Sequence, residues 1–373
     1  MKKPDVIVIG GGLVGSAIAY GLSKNARVLI LDEGDRAFRA TRGNFGLVWV
    51  QSKGLGAPHY ARWSKRSADL WADFAAELKD ATGVDTHHKR TGGVHLLLTE
   101  QEVAARTAMM EQLRREAGND GYEYEMLDAG GVRGLLPNVG PRVLGASFTP
   151  YDGVANPLYT IRALHTALAQ RGAQYSPGHT VTLIDKESGV FVVRTDKGSF
   201  HAPKLVIAAG LGTRRLAELV GISVPVNPQR GQVLVTERLA PGVMGGGVTF
   251  TNARQMVEGS VIIGDSQEDV GLDNRTTVPV MSNIAARAVA CFPVLEKAQI
   301  VRAWGALRVM SPDGLPIYAE SKTMPGAFAA TCHSGVTLAA AHAREIARWI
   351  AGGERPEPTL KLVPERFDVP KAA

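Results

Sequence analysis

The chain has 373 residues, 45% of them hydrophobic, and a formal net charge of +6. That length implies two lobes around a core large enough to fold without disulfides. The basic residues are scattered with no long run, which argues against a nucleic-acid partner. Only two cysteines, Cys291 and Cys332, argue against a disulfide framework or a cysteine-rich metal site and for a reducing compartment.

The first elements are the most informative. Val6–Ile9 reads as a buried strand, Gly10, Gly11, Gly12 and Gly15 as a tight turn, Ser16–Leu22 as an apolar helix, and Val28–Leu31 as a second buried strand ending at Asp32. G-x-G-x-x-G between strand and helix is the dinucleotide fingerprint in its proper setting. Gly10 permits the turn, Gly12 lets backbone approach a pyrophosphate, and Gly15 lets helix pack on strand. The helix N-terminus offers free N–H donors and a partial positive charge to the phosphates. Asp32 stands where a carboxylate accepts from ribose hydroxyls. The fingerprint alone does not choose between NAD and FAD.

A loop follows over Glu33–Gly46, with small residues in Ala40–Gly46 suited to passing over a flat ligand; Leu47–Gln51 is apolar and strand-like. Helical spacing runs from Ala57 to Thr82, its aromatics read as core. A strand begins at Gly92, a charged helix spans Glu100–Ala117, and a polar turn covers Gly118–Gly121. Ser147–Pro157 reads as turns leading into a helix over Leu158–Arg171. Strands are expected at Thr180–Ile184, Val190–Thr195 and Leu205–Gly210. From Pro228 the pattern is antiparallel, with short strands at Gln232–Thr236, Val248–Thr251 and Val261–Ile263. A helix over Ser282–Ala290, a strand over Gln299–Leu307, a strand over Ala327–Thr331 and a helix over Leu338–Ala351, stopped by Gly352-Gly353, complete the chain. The predicted fold is α/β. A Rossmann-like nucleotide domain (1–85, 140–227 and 305–355) interleaves with an antiparallel-sheet substrate domain (86–139 and 228–304), and a tail covers 356–373. No stretch reaches the roughly 18 apolar residues of a membrane span, and no secretory signal is apparent, so a cytoplasmic protein is expected. His59, His87, His88 and His95 lack metal-ligand spacing, and no metal centre is expected.

Two features point to FAD over NAD. VIAAGLG, Val206–Gly212, is a second glycine-ended strand near the pyrophosphate. The last strand, turn and helix, Ala327–Ala341, return to the same sheet and could aim a helix N-terminus at an isoalloxazine ring, where negative charge develops on reduction. The combination of GGGLVG, VLILDEG, VIAAG, ALRVMSPDGLP and HSGVTLAAAHA resembles the D-amino-acid oxidase superfamily, which includes glycine and sarcosine oxidases. Within it, NFGLVWVQ, TCHSGVTLA and RFDVP are similar to the flavin-bearing β subunits of bacterial opine oxidases and D-hydroxyproline dehydrogenases.

The resemblance implies that Gly10, Gly12, Val14 and Gly15 hold an FAD pyrophosphate, with Asp32 and Glu33 at the ribose. It places Thr41, Arg42, Gly46, Leu47 and Val48 in a flavin-contacting loop, Val181 at the adenine, and Ala209, Gly210 and Gly212 beside the phosphates. His333, Ser334, Gly335, Val336 and Thr337 fall in the loop next to the ring, a loop shorter than in glycine oxidases. Covalent attachment through Cys332 is not expected, because the link known in some sarcosine oxidases comes from another position; the FAD is expected to be noncovalent. Arg308 matches the arginine that grips a substrate carboxylate, a role that suits a guanidinium fork; the alternative is an ion pair with Asp313. Arg254 and Gln255 lie on a hairpin that could face the same pocket. The implied activity is oxidation of a carboxylate-bearing secondary amine or amino acid by hydride transfer from Cα–H to flavin N5. A stand-alone oxidase producing H2O2 and a non-catalytic electron-relay subunit are the alternatives. The resemblance also implies α and small iron–sulfur-type partner subunits, and leaves open an FMN at a subunit interface.

Overall fold

The computed structural model describes residues 3–34, 39–245, 247–264 and 266–368. Part of the Glu33–Gly46 loop (35–38) and the end of the predicted tail (369–373) lie outside them. Val6–Ile9 is the centre of a six-stranded sheet. Its neighbours are Val28–Asp32 and Gln174–Pro177 on one side, and Lys204–Ile207, Ala327–Thr331 and Ile317–Glu320 on the other. All pairings are parallel except that of the last two strands, and Val6 stands beside both Val28 and Lys204.

Alternation along these strands divides the core. Val6, Val8, Val28, Ile30 and Val206 point to one face, where they meet the helices Leu13–Leu22, Pro58–Thr82 and Pro157–Gln170 and the helical segment from Ala339 to Ala351. Ile7, Ile9, Leu29, Leu31, Leu205 and Ile207 point to the other face. There they meet the antiparallel strands Val181–Glu187, Val190–Thr195 and Gly198–Ala202 through Val181, Ile184, Phe191 and Val193. Buried strands covered on both faces explain the near-continuous apolar runs in the sequence.

The second lobe holds two four-stranded sheets. One runs Ala253–Gln255, Ser260–Ile263, Asn227–Arg238, Ile300–Met310; the other runs Thr249–Phe250, Gly93–Leu97, Gly145–Thr149, Glu125–Asp128. Leu234, Ile263, Val94, Leu96 and Ala146 form their common core with Ile284, Ala288 and Phe292 from the helix Val278–Cys291 and the residue after it. The lobe boundaries differ from the expected ones. Residues 145–149, assigned to the nucleotide domain and read as turns from Ser147 on, pair with Gly93–Leu97 in the second lobe. Residues 305–310 continue the long strand against Asn227–Arg238. Thr249–Phe250 pairs parallel with Gly93–Val94, where an antiparallel strand was expected.

The long helix Pro58–Thr82 is anchored along its inner face. Trp63, Trp71, Phe74 and Leu78 there are completely buried, each contributing about 1.5–3 kcal/mol of burial. The closing helix is not uniform: His342–Ile346 form a π-type turn between Ala339–Ala341 and Ala347–Ala351. His342 within it is fully buried and bonds through Nε2 to the Tyr318 hydroxyl at 2.8 Å. Burial pushes its imidazole down to about 3, so it is neutral.

This helix crosses the fingerprint helix at Gly21. A Cβ there would lie 2.1 Å from the Ala343 carbonyl oxygen and 2.4 Å from the Ala347 methyl. Gly21→Val is therefore expected to destabilise the fold by about 1–3 kcal/mol through overpacking. The measurement is urea unfolding; a midpoint equal to that of the unaltered protein would contradict the packing described.

Candidate functional site

The fingerprint turn is set by contact as much as by conformation. Gly10 has φ of +109°, and a Cβ on it would lie 2.3 Å from the Ala208 carbonyl oxygen. A Cβ on Gly15 would lie 2.0 Å from the Gly10 carbonyl oxygen. Turn, helix and the strand end at Ala208 thus meet with no room for side chains. The first backbone bond of the helix runs from Ser16 N to the Gly12 oxygen, 2.8 Å, so the N–H groups before it point out of the helix end. Leu13 N donates to Thr41 Oγ1 at 3.0 Å. Asp32 accepts from Gly11 N at 2.7 Å and Gly34 N at 2.9 Å, which holds its carboxylate at the end of the second strand.

A cavity of about 830 Å³ opens at this edge of the sheet. Of the residues expected at a dinucleotide, Gly10, Gly12, Asp32, Glu33, Thr41, Arg42, Val181, Ala209, Gly210 and Gly212 all line it. It shares Gly12, Thr41 and Gly210 with a smaller pocket of about 80 Å³ that Val14, His333 and Gly335 also line. Gly15 lines neither and acts through its packing on Gly10. The residues fit a dinucleotide that runs from Asp32, past the helix N-terminus, to the loop at His333. The close approach of Gly10, Gly15 and Ala208 is the observation that carries this fit.

His165 and Tyr175 belong to the same wall and were not anticipated. His165 Nε2 lies 3.0 Å from Ser16 Oγ and 3.1 Å from the Gly11 oxygen, and its ring packs 4.7 Å from that of Tyr175. Tyr175 in turn lies where a Gly11 Cβ would stand, 2.6 Å from it. No local pattern marks either residue, since the strand that carries Tyr175 is QYSP.

The loop Cys332–Thr337 is held from behind. Tyr60 donates to Ser334 Oγ at 3.0 Å. Trp71 Nε1 donates to the Val336 and Thr337 oxygens at 3.0 and 3.2 Å, and Ser67 donates to the Thr337 oxygen at 2.7 Å. Trp49 N donates to Thr337 Oγ1, 3.0 Å, and that hydroxyl donates to the Leu47 oxygen, 3.3 Å. The aromatics expected as core thus also place this loop. Val336 is 2% exposed and packs into the helical core, the Ser334 hydroxyl accepts from Tyr60, and the Thr337 hydroxyl both accepts from Trp49 N and donates to the Leu47 oxygen. These three support the loop, whereas His333 and Gly335 face the pocket. Leu47–Val48, paired with Gly153–Val154, and Gly46, at φ +90°, likewise line neither cavity and form the loop's neighbouring rail.

The second lobe delivers Arg308. It stands opposite Gln229 on the long strand pair, with its guanidinium over Gly231, where a Cβ would lie 2.7 Å from Nη2. Nη1 donates to the Ser266 oxygen at 2.6 Å. Ala306 and Trp304 share its strand face, and both touch Gly43: an added Cβ there would stand 2.2 Å from the Ala306 methyl, and Trp304 Nε1 donates to the Gly43 oxygen at 3.4 Å. Arg308 therefore lies on the strand face that receives the loop after the fingerprint. Asp313, its expected alternative partner, is gripped by Arg366 at 2.7 and 3.0 Å.

The other two candidates differ. Arg254 points at Gly46 and Ala155, donating to their oxygens at 3.4 and 3.5 Å, while its Nε has no partner among the described residues; burial pushes its guanidinium down to about 10. Gln255 does not face the pocket. Its oxygen accepts from Gly242 N at 2.9 Å, and its amide donates to the Ala240 and Gly259 oxygens at 2.8 and 2.9 Å, closing a surface loop. At the ring loop, burial, then Lys53 and Arg308, holds the His333 imidazole well below its ordinary range, so it is neutral. Cys332 and Cys291 are buried free thiols, and burial raises the Cys332 thiol to about 12. Among the described residues no cluster of His, Cys, Asp and Glu has the arrangement of a metal site, and no helix is long and apolar enough to cross a membrane.

Comparison with known proteins agrees with this geometry. The family described as FAD dependent oxidoreductase (DAO) matches residues 5–349. The opine oxidase B subunit of Agrobacterium tumefaciens (strain Ach5) is 39% identical over the whole of both chains, and that of Rhizobium meliloti 38%. The crystal structure of glycine oxidase from Geobacillus kaustophilus superposes with a TM-score of 0.87 at 25% identity, over 97% of this chain and 98% of that one.

The contact at Gly15 makes a direct prediction. Gly15→Val should yield a folded protein that purifies without bound dinucleotide, read as the absorbance of the released cofactor after denaturation. Stoichiometric cofactor in the variant would contradict the cradle.

Proposed function

The chain belongs to the DAO family of FAD-dependent oxidoreductases, and we propose that within it this protein oxidises a carboxylate-bearing secondary amine or amino acid, an opine, D-hydroxyproline or a related compound. The observation that supports this most is the place of Arg308, a guanidinium held by a backbone carbonyl on the strand face that meets the loop after the fingerprint. Its fork holds a carboxylate bidentately and so fixes the adjacent Cα–H. The full-length likeness to the B subunits of opine oxidases supports the opine class.

FAD, when bound, supplies a hydride acceptor at N5. This chain's own residues bind and orient. Gly10–Gly15 and Asp32 hold the nucleotide end. The loop at His333, braced by Trp71 and Tyr60, sets the position of the other end. Arg308 neutralises the substrate carboxylate and turns its Cα–H toward the acceptor. The substrate reacts as the neutral amine: the Cα–H leaves with its electron pair, the nitrogen lone pair forms the C=N bond, and loss of the N–H proton gives the imine. Water then releases a keto acid and an amino acid from an opine, while hydroxyproline leaves a cyclic imine. A neutral His333 adds no positive charge against that proton loss.

We further propose that the protein works as the catalytic β subunit of a heteromeric dehydrogenase, with α and iron–sulfur-type partners and a second flavin, FMN, at a subunit interface. That the opine oxidase relatives are named as subunits supports assembly with other chains. Two buried free thiols are in keeping with a cytoplasmic, reducing setting.

Octopine, nopaline, D-hydroxyproline, sarcosine and glycine, added singly without oxygen, test the reading. One of the first three is expected to bleach the flavin spectrum, with no rapid return on admitting air; bleaching by none, alone or with co-purified partners, would contradict it. Arg308→Met is expected to lower kcat/KM for that substrate by the equivalent of about 2–5 kcal/mol. An unchanged kcat/KM would remove Arg308 from the site.

A further inference from the structure

The seat of Arg308 is made by an irregularity in the neighbouring strand. Antiparallel pairing sets Leu234 opposite Ile263 and Arg230 opposite Glu268. Four steps of chain separate Leu234 from Arg230, but five separate Ile263 from Glu268, so the second side takes up one extra residue. Such a β-bulge interrupts the ladder locally and turns groups out of their regular directions. Arg230 and Glu268 close its far end with reciprocal backbone bonds of 2.9 and 3.0 Å.

Ser266 lies inside this bulge, and its hydroxyl takes the place of a backbone carbonyl. Gln232 N, which a regular ladder pairs with a carbonyl of the facing strand, donates instead to Ser266 Oγ at 2.7 Å. The Ser266 carbonyl is turned to Arg308 and accepts from Nη1 at 2.6 Å, and the Arg230 carbonyl accepts from the same nitrogen at 3.4 Å. The hydroxyl is fixed in turn, because it donates to Glu268 Oε1 at 3.3 Å. Glu268 also accepts from Arg230 Nε and Nη2, at 3.2 and 2.6 Å, and from Gln232 Nε2 at 2.9 Å. Arg230 and Gln232 are 3% and 0% exposed, so this clamp is anchored within the sheet. A serine hydroxyl can accept and donate at once, and here it does both. An alanine could offer Gln232 N only its backbone carbonyl, the group that Arg308 uses.

We propose that Ser266 is the positioning residue for Arg308: by standing in for its own carbonyl in the ladder, its hydroxyl keeps that carbonyl where it fixes the guanidinium for the substrate carboxylate. This rests on the proposed carboxylate-gripping role of Arg308 and deepens it by naming what orients the fork. A long guanidinium side chain has many rotamers, and a bidentate grip fails when the plane of the fork turns. Gly231 leaves the fork room, and the Ser266 carbonyl selects one orientation within it. Ser266 acts on the substrate only through Arg308.

The test titrates thiodiacetate, which has no oxidisable amine, and its uncharged diamide calorimetrically into the FAD-loaded protein. Ser266→Ala is expected to weaken thiodiacetate binding about tenfold, the effect of one hydrogen bond to a charged group. Diamide binding, FAD content and melting temperature are expected to stay as they are, and Ser266→Thr, which keeps the hydroxyl, to recover most of the loss. In an Arg308→Met background Ser266→Ala is expected to cost nothing further, because the guanidinium it acts through is gone. If the alanine variant does not fold, Ser266→Cys, close in size but a weak acceptor, carries the same comparison. Unchanged thiodiacetate affinity, an equal loss for acid and diamide, or a loss that adds in full to that of Arg308→Met overturns the proposal. The two readings fail separately. Arg308→Met that binds thiodiacetate as tightly as the unaltered protein removes the carboxylate grip and the proposal with it. A loss in Arg308→Met with none in Ser266→Ala removes the Ser266 assignment alone. Thiodiacetate binding that depends on both residues, with no amine bleaching the flavin, keeps the assignment and removes the oxidation reading.

Discussion

The contact on which this structure depends is that of three backbones at Gly10, Gly15 and Ala208. Added methyl carbons would stand 2.0–2.3 Å from carbonyl oxygens there, so the positions admit nothing but hydrogen. The helix N-terminus is thereby brought to the end of the central strand, with Asp32 fixed beside it by two backbone N–H groups. A dinucleotide can approach that end because no side chain intervenes. The rest of the site is arranged around this point: the loop at His333 lies across the smaller pocket from Val14, and Thr41 caps the helix from the other side.

Function then arises from how the second lobe is hung on the first. The Asn227–Arg238 and Ile300–Met310 strands pair over most of their length, and Gly231 leaves room for the Arg308 guanidinium on their shared face. Ala306 and Trp304 seat that face on Gly43, two residues along the chain from Thr41.

Much of this was legible in the chain. The fingerprint and both flanking strands follow from local pattern, Asp32, Thr41, Val181 and Gly210 are expected at a nucleotide from pattern and family resemblance, and the cavity includes all four of these residues. Legibility fails where position depends on distant partners. Gln174–Pro177 is a strand because it extends a sheet whose other members lie elsewhere, and its own composition opposes the reading. Ser147–Thr149 read as the start of a turn segment, yet the strand Gly145–Thr149 pairs on both sides within the second lobe. Gln255 resembles a pocket residue in sequence, but the turn at Ala240–Val243 consumes its amide.

On the proposed reading the chemistry is a matter of placement, with a substrate Cα–H held against the cofactor by the ion pair of its carboxylate with Arg308. The measurement that tests this most directly is stopped-flow reduction of the purified, FAD-loaded protein by N-(1-carboxyethyl)alanine carrying hydrogen or deuterium at both α-carbons, without oxygen. The predicted result is single-turnover bleaching of the flavin, slowed severalfold by deuterium. Bleaching at the same rate with both isotopologues, or none at all with the subunit and its co-purified partners, would contradict it.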